Sequence, residues 1–228
     1  MRATEFIIES EISDDLVAAL NGKGYKELND AGADAQAFLE PGTGMVLKIF
    51  GTREGSGTRP GELTRDQWIF TQYVDYCHAH PNNHFLPQFS DWERFRFNGE
   101  FYLMIRMERL FEFHNSYWGD FLENMVGEAR FRNDKATKKD FLDKIIRRDQ
   151  NNTANDDYSD DEGPYENAGV EILSHLGMEK FNVLWDTVFE LASIARNGGF
   201  RLDLHENNFM LGSDGEIVIS DPFWSGSF

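Results

Sequence analysis

The sequence contains few basic residues, one cysteine and no long run of apolar residues. Its 228 residues include 22 Lys and Arg against 40 Asp and Glu, which gives a formal net charge of −18 at pH 7. Uncompensated negative charge repels phosphate groups, so we expect neither direct nucleic-acid binding nor attachment to an anionic membrane surface. An acidic chain can instead mimic nucleic acid and bind a basic protein partner, and that alternative stays open.

The remaining absences concern the cellular compartment. Cys77 is the only cysteine, so the chain cannot form an internal disulfide. The first five residues lack the basic region and the apolar run of a signal peptide. No stretch approaches the roughly 18 consecutive apolar residues of a membrane span. We therefore expect a cytoplasmic protein with no membrane segment.

The residues that are present predict an α+β fold. Hydrophobic residues make up 40% of the chain and aromatic residues 14%, which is too much apolar surface for a disordered protein. The patterns predict a strand at 45–50, a helix at 62–79 that stops before Pro81, and a hairpin over 92–107 with its turn at Asn98-Gly99. The first half should form a small antiparallel sheet carrying one helix.

The second half is predicted to be helical until its end. Residues 151–167 contain six acidic and no basic side chains, a composition typical of an exposed, mobile insert. Apolar residues then recur at helical spacing over 181–195, and Asn197-Gly198-Gly199 should end that helix.

Three polar residues near the carboxyl end have a spacing that suggests chemistry. Asn208 lies five residues after Asp203, and Asp221 lies thirteen residues after Asn208. A loop after the long helix would present Asp203 to an attacking hydroxyl group, and a hairpin would then bring Asp221 beside Asn208. Carboxylate and amide oxygens are ligands that suit Mg²⁺.

These residues resemble the catalytic loop and the metal-binding aspartate of the protein-kinase-like superfamily. The Asp-Leu-His sequence that starts at Asp203, with Asp-Pro at Asp221 in place of Asp-Phe-Gly, is most similar to the early Ser/Thr protein kinases of podophages. Aminoglycoside phosphotransferases share the Asp-x-His part. The resemblance implies ATP and Mg²⁺ as cofactors, Asp203 as the catalytic base, and Asn208 and Asp221 as Mg²⁺ ligands. It also implies a two-lobed fold, with an N-lobe at 1–108 and a reduced helical C-lobe, including the loops at 200–223, at 109–228.

The resemblance assigns nucleotide-binding roles in the first half. Lys48, inside an apolar strand, would meet the α- and β-phosphates of ATP and a carboxylate on the following helix. Asp66 is the first candidate for that carboxylate and Glu62 is the second. Residues 32–39 occupy the position of the glycine-rich loop, although Gly32 is their only glycine.

Residues 104–110 resemble the hinge between the two kinase lobes. Backbone groups of Glu108 and Leu110 would then meet the adenine edge, and Met107 would limit the depth of the pocket. An edge strand that runs into a loop is the alternative structural interpretation.

The sequence departs from the family in three ways. Arg201 precedes Asp203 by two residues, where most protein kinases have His. His205 follows by two residues, where most have a Lys that reaches the γ-phosphate, so it also becomes a candidate catalytic residue. A neutral imidazole contributes no full charge, so weak or specialised phosphotransfer is expected unless His205 is protonated. Only seven residues follow Asp221, so the chain is either truncated or a minimal kinase that holds its target by other surfaces.

Two further patterns have ordinary structural interpretations beside their functional ones. Four residues near the end of the predicted first-half helix are of types that bind zinc, although their spacing matches no common site: Cys77, His78, His80 and His84. Three hydroxyl groups in the acidic insert could be phosphorylated or simply solvated: Thr153, Tyr158 and Ser159.

The leading hypothesis is an ATP- and Mg²⁺-dependent protein Ser/Thr kinase that modifies proteins of a host or of a partner, in the host cytoplasm if the protein is phage-encoded. One alternative is a small-molecule phosphotransferase, which the Asp-Leu-His sequence also suggests. The other is an inactive kinase-fold protein whose acidic surface binds and inhibits a basic partner.

Overall fold

A computed structural model describes residues 12–28, 35–51, 63–113, 118, 143 and 164–225. Within them the protein is α+β, with a five-stranded antiparallel sheet, two smaller sheets and three helices with defined ends. Residue contacts divide the chain into two compact units. The first is drawn from Met1–Asn82, Leu86–Phe111 and Gly212–Gly215, and the second from Asn83–Phe85, Glu112–Leu211 and Glu216–Phe228.

The first unit is built on the five-stranded sheet, which has the strand order β1-β2-β3-β5-β4. Its strands are β1 (Lys26–Leu28), β2 (Gln36–Leu39), β3 (Val46–Phe50), β4 (Glu93–Phe97) and β5 (Glu100–Met107). Side chains alternate along a strand, so Leu47 and Ile49 share one face of the sheet and Lys48 and Phe50 share the other. The strand predicted at 45–50 is confirmed as β3.

A short helix, α1 (Asp14–Gly22), packs on the Leu47 and Ile49 face. Leu16 of α1 is buried there, and Ser13 caps the helix by accepting the Leu16 N–H at 3.4 Å. The expectation of one helix in this half is therefore wrong. The sequence pattern is weak because Leu16 is the only fully buried residue of these nine.

The second helix, α2 (Arg65–Ala79), begins later than the predicted residue 62. Thr64 and Gln67 form a capping box, in which the Thr64 hydroxyl accepts the Gln67 N–H at 3.2 Å and the Gln67 amide oxygen accepts the Thr64 N–H at 3.1 Å. Gln67 Nε2 also donates to the carbonyls of Phe50 and Gly51 at 3.4 and 3.1 Å. The first turn of α2 is thereby fixed to the end of β3.

The predicted hairpin is confirmed as β4 and β5. Asn98 and Gly99 have φ of 49° and 97°, the left-handed conformations that a two-residue type I′ turn requires. Phe97 and Glu100 pair directly on either side of the turn.

The second unit contains the long helix α3 (Pro164–Gly198), which is interrupted where Gly177 adopts φ 74° and ψ 163°. The apolar face predicted for its second part is buried: Phe181, Leu184, Trp185, Val188, Leu191 and Ala195. No helix among the residues described above combines the length and hydrophobicity needed to cross a membrane.

The predicted stop at Asn197-Gly198-Gly199 is confirmed. The Gly199 N–H donates to the Arg196 carbonyl at 3.3 Å, and the Phe200 N–H donates to the Ala195 carbonyl at 3.0 Å. These are the two hydrogen bonds of a Schellman motif, with Gly199 at φ 69° in the left-handed position. The chain therefore leaves the helix in a fixed direction.

Short strands complete the second unit, except that Phe111, the first residue of the first of these strands, belongs to the first unit. They are β6 (Phe111–Glu112), β7 (Arg201–Leu202), β8 (Phe209–Leu211), β9 (Ile217–Ile219) and β10 (Phe223–Trp224), and they form sheets of order β6-β8-β9 and β10-β7.

The predicted acidic insert at 151–167 lies mainly outside the described residues. Its last four residues, 164–167, are the first residues of α3. Thr153, Tyr158 and Ser159 also lie outside the described residues.

Candidate active site

The pairing of two short strands brings Asp203 and Asp221 into one region. β7 pairs antiparallel with β10, and Leu202 lies opposite Phe223. Asp203 follows β7 directly and donates its backbone N–H to the Pro222 carbonyl at 2.7 Å. Because the pairing is antiparallel, the residue that leaves β7 lies beside those that enter β10.

Asn208 links this region to the hairpin of β8 and β9. It ends the 3₁₀ turn Glu206–Asn208 and is only 8% exposed. Its side-chain Nδ2 donates to the backbone carbonyl of Asp203 at 2.7 Å, and its own carbonyl accepts the Ser220 N–H at 2.9 Å. Because Ser220 directly precedes Asp221, these two hydrogen bonds connect Asn208 to the backbone of Asp203 and to the residue next to Asp221. With Nδ2 engaged, Oδ1 is the atom of this amide that can bind a cation.

The two carboxylates influence each other electrostatically. Burial raises the pKa of Asp203 above its ordinary value; the nearby His205 opposes that rise, and the negative charge of Asp221 adds to it. A cation bound between the acidic groups would remove this repulsion.

The residues present fit Mg²⁺. Asn208 and Asp221 supply an amide oxygen and a carboxylate, and Mg²⁺ is commonly held by one or two carboxylates together with water and substrate phosphate oxygens. In the part of the chain that the structure describes, no group of three or more His, Cys, Asp or Glu is arranged to hold a metal ion. The predicted Mg²⁺ ligands, Asn208 and Asp221, are not such a group, because phosphate or water oxygens would have to complete the coordination of the ion.

His205 faces Asp203. Its Nε2 lies 3.5 Å from Asp203 Oδ2, and its Nδ1 accepts the backbone N–H of Asn207 at 3.2 Å. Both ring nitrogens are thus engaged within the loop, and about half of the side chain is exposed. His205 is therefore oriented toward the candidate base.

Lys48 belongs to the first unit, in the middle of β3. Its strand partners are Ala37 on β2 and Ile105 on β5. The Lys48 ammonium lies 4.3 Å from the ring centroid of Phe70 and 5.2 Å from that of Phe50. These aromatic neighbours were not predicted from the sequence, although Phe50 could have been found because it lies two residues further along the same strand.

Of the two carboxylates proposed to pair with Lys48, the structure describes Asp66 and not Glu62. Asp66 lies in the first turn of α2, the helix that also carries Phe70. No ion pair between Asp66 and Lys48 is among the contacts of the described residues, and the pairing stays a prediction. Glu62 lies outside the described residues.

The predicted hinge at 104–110 consists of the last four residues of β5 and the three residues that follow it. Met107 is buried opposite Val46 of β3. The Glu108 N–H donates to the Gln88 carbonyl at 3.0 Å, and the Glu108 carboxylate accepts the Gln88 N–H at 2.9 Å. A nucleotide contact at Glu108 would therefore use its carbonyl. Leu110 is half-buried.

The predicted glycine-rich loop is only partly described. Gly32 lies outside the described residues, between β1 and β2, and residues 36–39 form β2. The loop assignment for 36–39 is therefore wrong, because these residues pair with both neighbouring strands.

The zinc alternative gains nothing from the geometry. Among the described residues, no group of three or more His, Cys, Asp or Glu is arranged to hold a metal ion, and burial raises the pKa of the Cys77 thiol to about 12. His78 Nε2 and His80 Nδ1 contact the backbone carbonyls of Phe89 and Tyr76 at 3.0 and 2.9 Å.

Comparison with protein-family models finds no match for this chain, and comparison with curated protein sequences finds none either.

Proposed function

We propose that the protein is an ATP- and Mg²⁺-dependent phosphotransferase of the protein-kinase-like superfamily that phosphorylates Ser or Thr of other proteins. The observation that carries the proposal is the Asn208 side chain, which holds the backbone of Asp203 while the Asn208 carbonyl binds the residue before Asp221. These two hydrogen bonds bring together the chain segments that carry Asp203, Asn208 and Asp221, which supports the resemblance. The two-lobed arrangement, with lobes at 1–108 and 109–228, is part of this proposal.

In the proposed reaction, the acceptor hydroxyl oxygen forms a bond to the γ-phosphorus of ATP. The bond from the γ-phosphorus to the β,γ-bridging oxygen breaks, ADP leaves, and the hydroxyl proton passes to the Asp203 carboxylate. His205 orients that carboxylate through its Nε2. Asn208 and Asp221 would hold Mg²⁺, which supplies neutralisation of the phosphate charge.

Lys48 supports the nucleotide part of the proposal. A cation in a strand whose neighbours are buried is costly unless a partner stabilises it. In this function the α- and β-phosphates of ATP would meet the Lys48 ammonium in addition to the Phe50 and Phe70 rings that it already contacts. The five-stranded sheet is compatible with the small lobe that the resemblance implies, and α2 lies between β3 and β4 in the sequence.

The direct test is incubation with labelled ATP, Mg²⁺ and a cell extract, comparing the wild type with Asp203→Ala. We expect loss of at least about 100-fold in protein labelling, in line with removal of a general base. Asp214→Asn, at an exposed turn position, is the matched control and should retain labelling. Equal labelling by wild type and Asp203→Ala would refute the proposal.

Two further measurements separate the alternatives. Release of ADP with aminoglycosides, choline or sugars, without protein labelling, would favour a small-molecule phosphotransferase. A wild-type protein whose melting temperature does not rise with Mg-ATP would favour the inactive acidic binder, because a ligand of the native state raises that temperature. Lys48→Met should abolish the rise, and its unfolding without nucleotide should stay cooperative.

A further inference from the structure

The face of the sheet that carries Lys48 is aromatic. The Lys48 ammonium lies 4.3 Å from the centroid of the Phe70 ring and 5.2 Å from that of Phe50, both within the roughly 6 Å at which a ring attracts a cation. Phe50 is on the same strand as Lys48, and Phe70 is on α2. The ammonium is therefore held from the strand and from the helix.

The Phe70 ring is itself fixed by its surroundings. It is 4% exposed, and its centroid lies 4.8 Å from that of Phe50. Phe89 and Tyr73 contact it edge-on at 5.9 and 6.3 Å. Gln67, three residues earlier on α2, is hydrogen-bonded to the end of β3. The ring thus has a defined position relative to the strand.

We propose that Phe70 is a positioning residue that holds the Lys48 ammonium ready for a nucleotide phosphate. A free lysine side chain loses considerable rotamer entropy when it is immobilised on a ligand, and a side chain already held over a ring has lost part of it. A ring attracts the cation through its quadrupole and carries no net charge, so this contact leaves the positive charge of Lys48 undiminished. The consequence for nucleotide binding rests on the proposed function.

The first test needs no nucleotide. Protons near a ring face shift upfield in NMR spectra, so the terminal methylene protons of Lys48 should be shifted upfield in the wild type and should move toward free-lysine values in Phe70→Leu. Phe38→Leu is the matched control, because Phe38 is equally buried but packs on the opposite face of the sheet. Unshifted Lys48 protons in the wild type would overturn the proposal.

The second test separates attraction to the ring from simple packing. Phenylalanines with one, two and three fluorine atoms at position 70 keep the shape of the ring but progressively weaken its quadrupole, while making it more hydrophobic. We expect Mg-ATP affinity to fall stepwise, by about three- to tenfold in total, with little change in melting temperature. Phe38→Leu should lower the melting temperature without this loss of affinity.

The outcomes distinguish failure of the Phe70 proposal from failure of the proposed phosphotransferase function. Equal Mg-ATP affinity across the fluorinated series, in a protein that binds Mg-ATP, would overturn the role of Phe70 and leave the phosphotransferase intact. A wild type that binds no Mg-ATP would overturn the phosphotransferase and with it the nucleotide role of Phe70. The NMR shift then decides alone whether Phe70 holds Lys48.

Discussion

The two units hold their candidate functional residues in different ways. In the first unit, Lys48 lies within a regular strand, and its ammonium is oriented by side chains from β3 and α2. In the second unit, Asp203 lies in a loop and Asn208 ends a 3₁₀ turn, and both are held by hydrogen bonds to backbone groups. Substitutions that preserve shape should therefore be tolerated differently in the two units.

Asn208→Asp should produce the largest effect, because it removes the side-chain hydrogen bond that holds the backbone of Asp203. The substitution keeps the shape of the side chain but replaces the donor to the Asp203 carbonyl with an oxygen that repels it. We expect a loss of about 100-fold or more in the proposed phosphotransfer activity and of about 1–3 kcal/mol in the free energy of unfolding. Single-turnover kinetics and urea denaturation measure the two quantities.

The matched control for that substitution is Asn182→Asp, on an exposed part of α3, where the amide donates to the Met178 carbonyl at 2.8 Å. It should cost much less stability and leave phosphotransfer unchanged. Equal losses from the two substitutions would show that the Asn208 contact has no special importance.

Gly198→Ala should produce the next largest effect, because it disturbs the turn that leads into β7. A Cβ atom at residue 198 would lie 2.0 Å from Cε1 of the Phe200 ring, and Phe200 is buried. We expect a loss of about 1–3 kcal/mol in the free energy of unfolding, typical of overpacking in a core. Gly22→Ala, at the end of α1 where no atom lies within 4 Å of the added carbon, is the control. A melting temperature for Gly198→Ala equal to that of this control would contradict the structure.

The smallest expected effects are changes in the pKa of Asp203 when a neighbouring charged group is removed. Asp221→Asn removes a negative neighbour and should lower the pKa of Asp203, whereas His205→Gln removes a group that opposes the rise and should increase it. Carbon-13 NMR of the Asp203 carboxyl group without Mg²⁺ would measure both shifts. Shifts of the same sign in the two variants would contradict the assigned causes.

The raised pKa also has a consequence for stability. The native state binds the Asp203 proton more readily than the unfolded state does. The stability that this difference contributes is therefore fully present at pH values below the pKa of Asp203 in the unfolded state. It is lost as the pH rises through the higher native pKa. Asp203→Asn should therefore gain stability relative to the wild type at neutral pH and lose that advantage in acid, as measured by thermal unfolding at several pH values.

The sequence was informative where one local rule decides the structure. The Asn98-Gly99 turn, the apolar face of α3 and the glycine stop after it each depend on neighbouring residues alone, and each was predicted. The sheet at β3 and its hairpin followed from alternation and turn chemistry. The α1 helix was missed because its stability comes from packing on distant strands, as the cluster of Leu16 with Phe38 shows.

The candidate site was predictable in its residues but not in its supports. The spacing of Asp203, Asn208 and Asp221 is visible in the sequence, whereas the carbonyl of Pro222 that accepts the Asp203 N–H leaves no sequence trace. The aromatic setting of Lys48 was missed for a different reason. Phe70 lies on α2, 22 residues after Lys48 in the sequence, and which face of α2 meets the strand depends on the tertiary fold.

The hydrogen bonds around Asn208 also indicate an order of folding. The bond to Asp203 spans five residues and the contact between Ser220 and Asn208 spans twelve, so each closes a small loop at little entropic cost. The bond between Asn83 and Thr187 spans 104 residues and requires a much longer closure. The hydrogen bonds around the two aspartates should therefore form before the bond between Asn83 and Thr187.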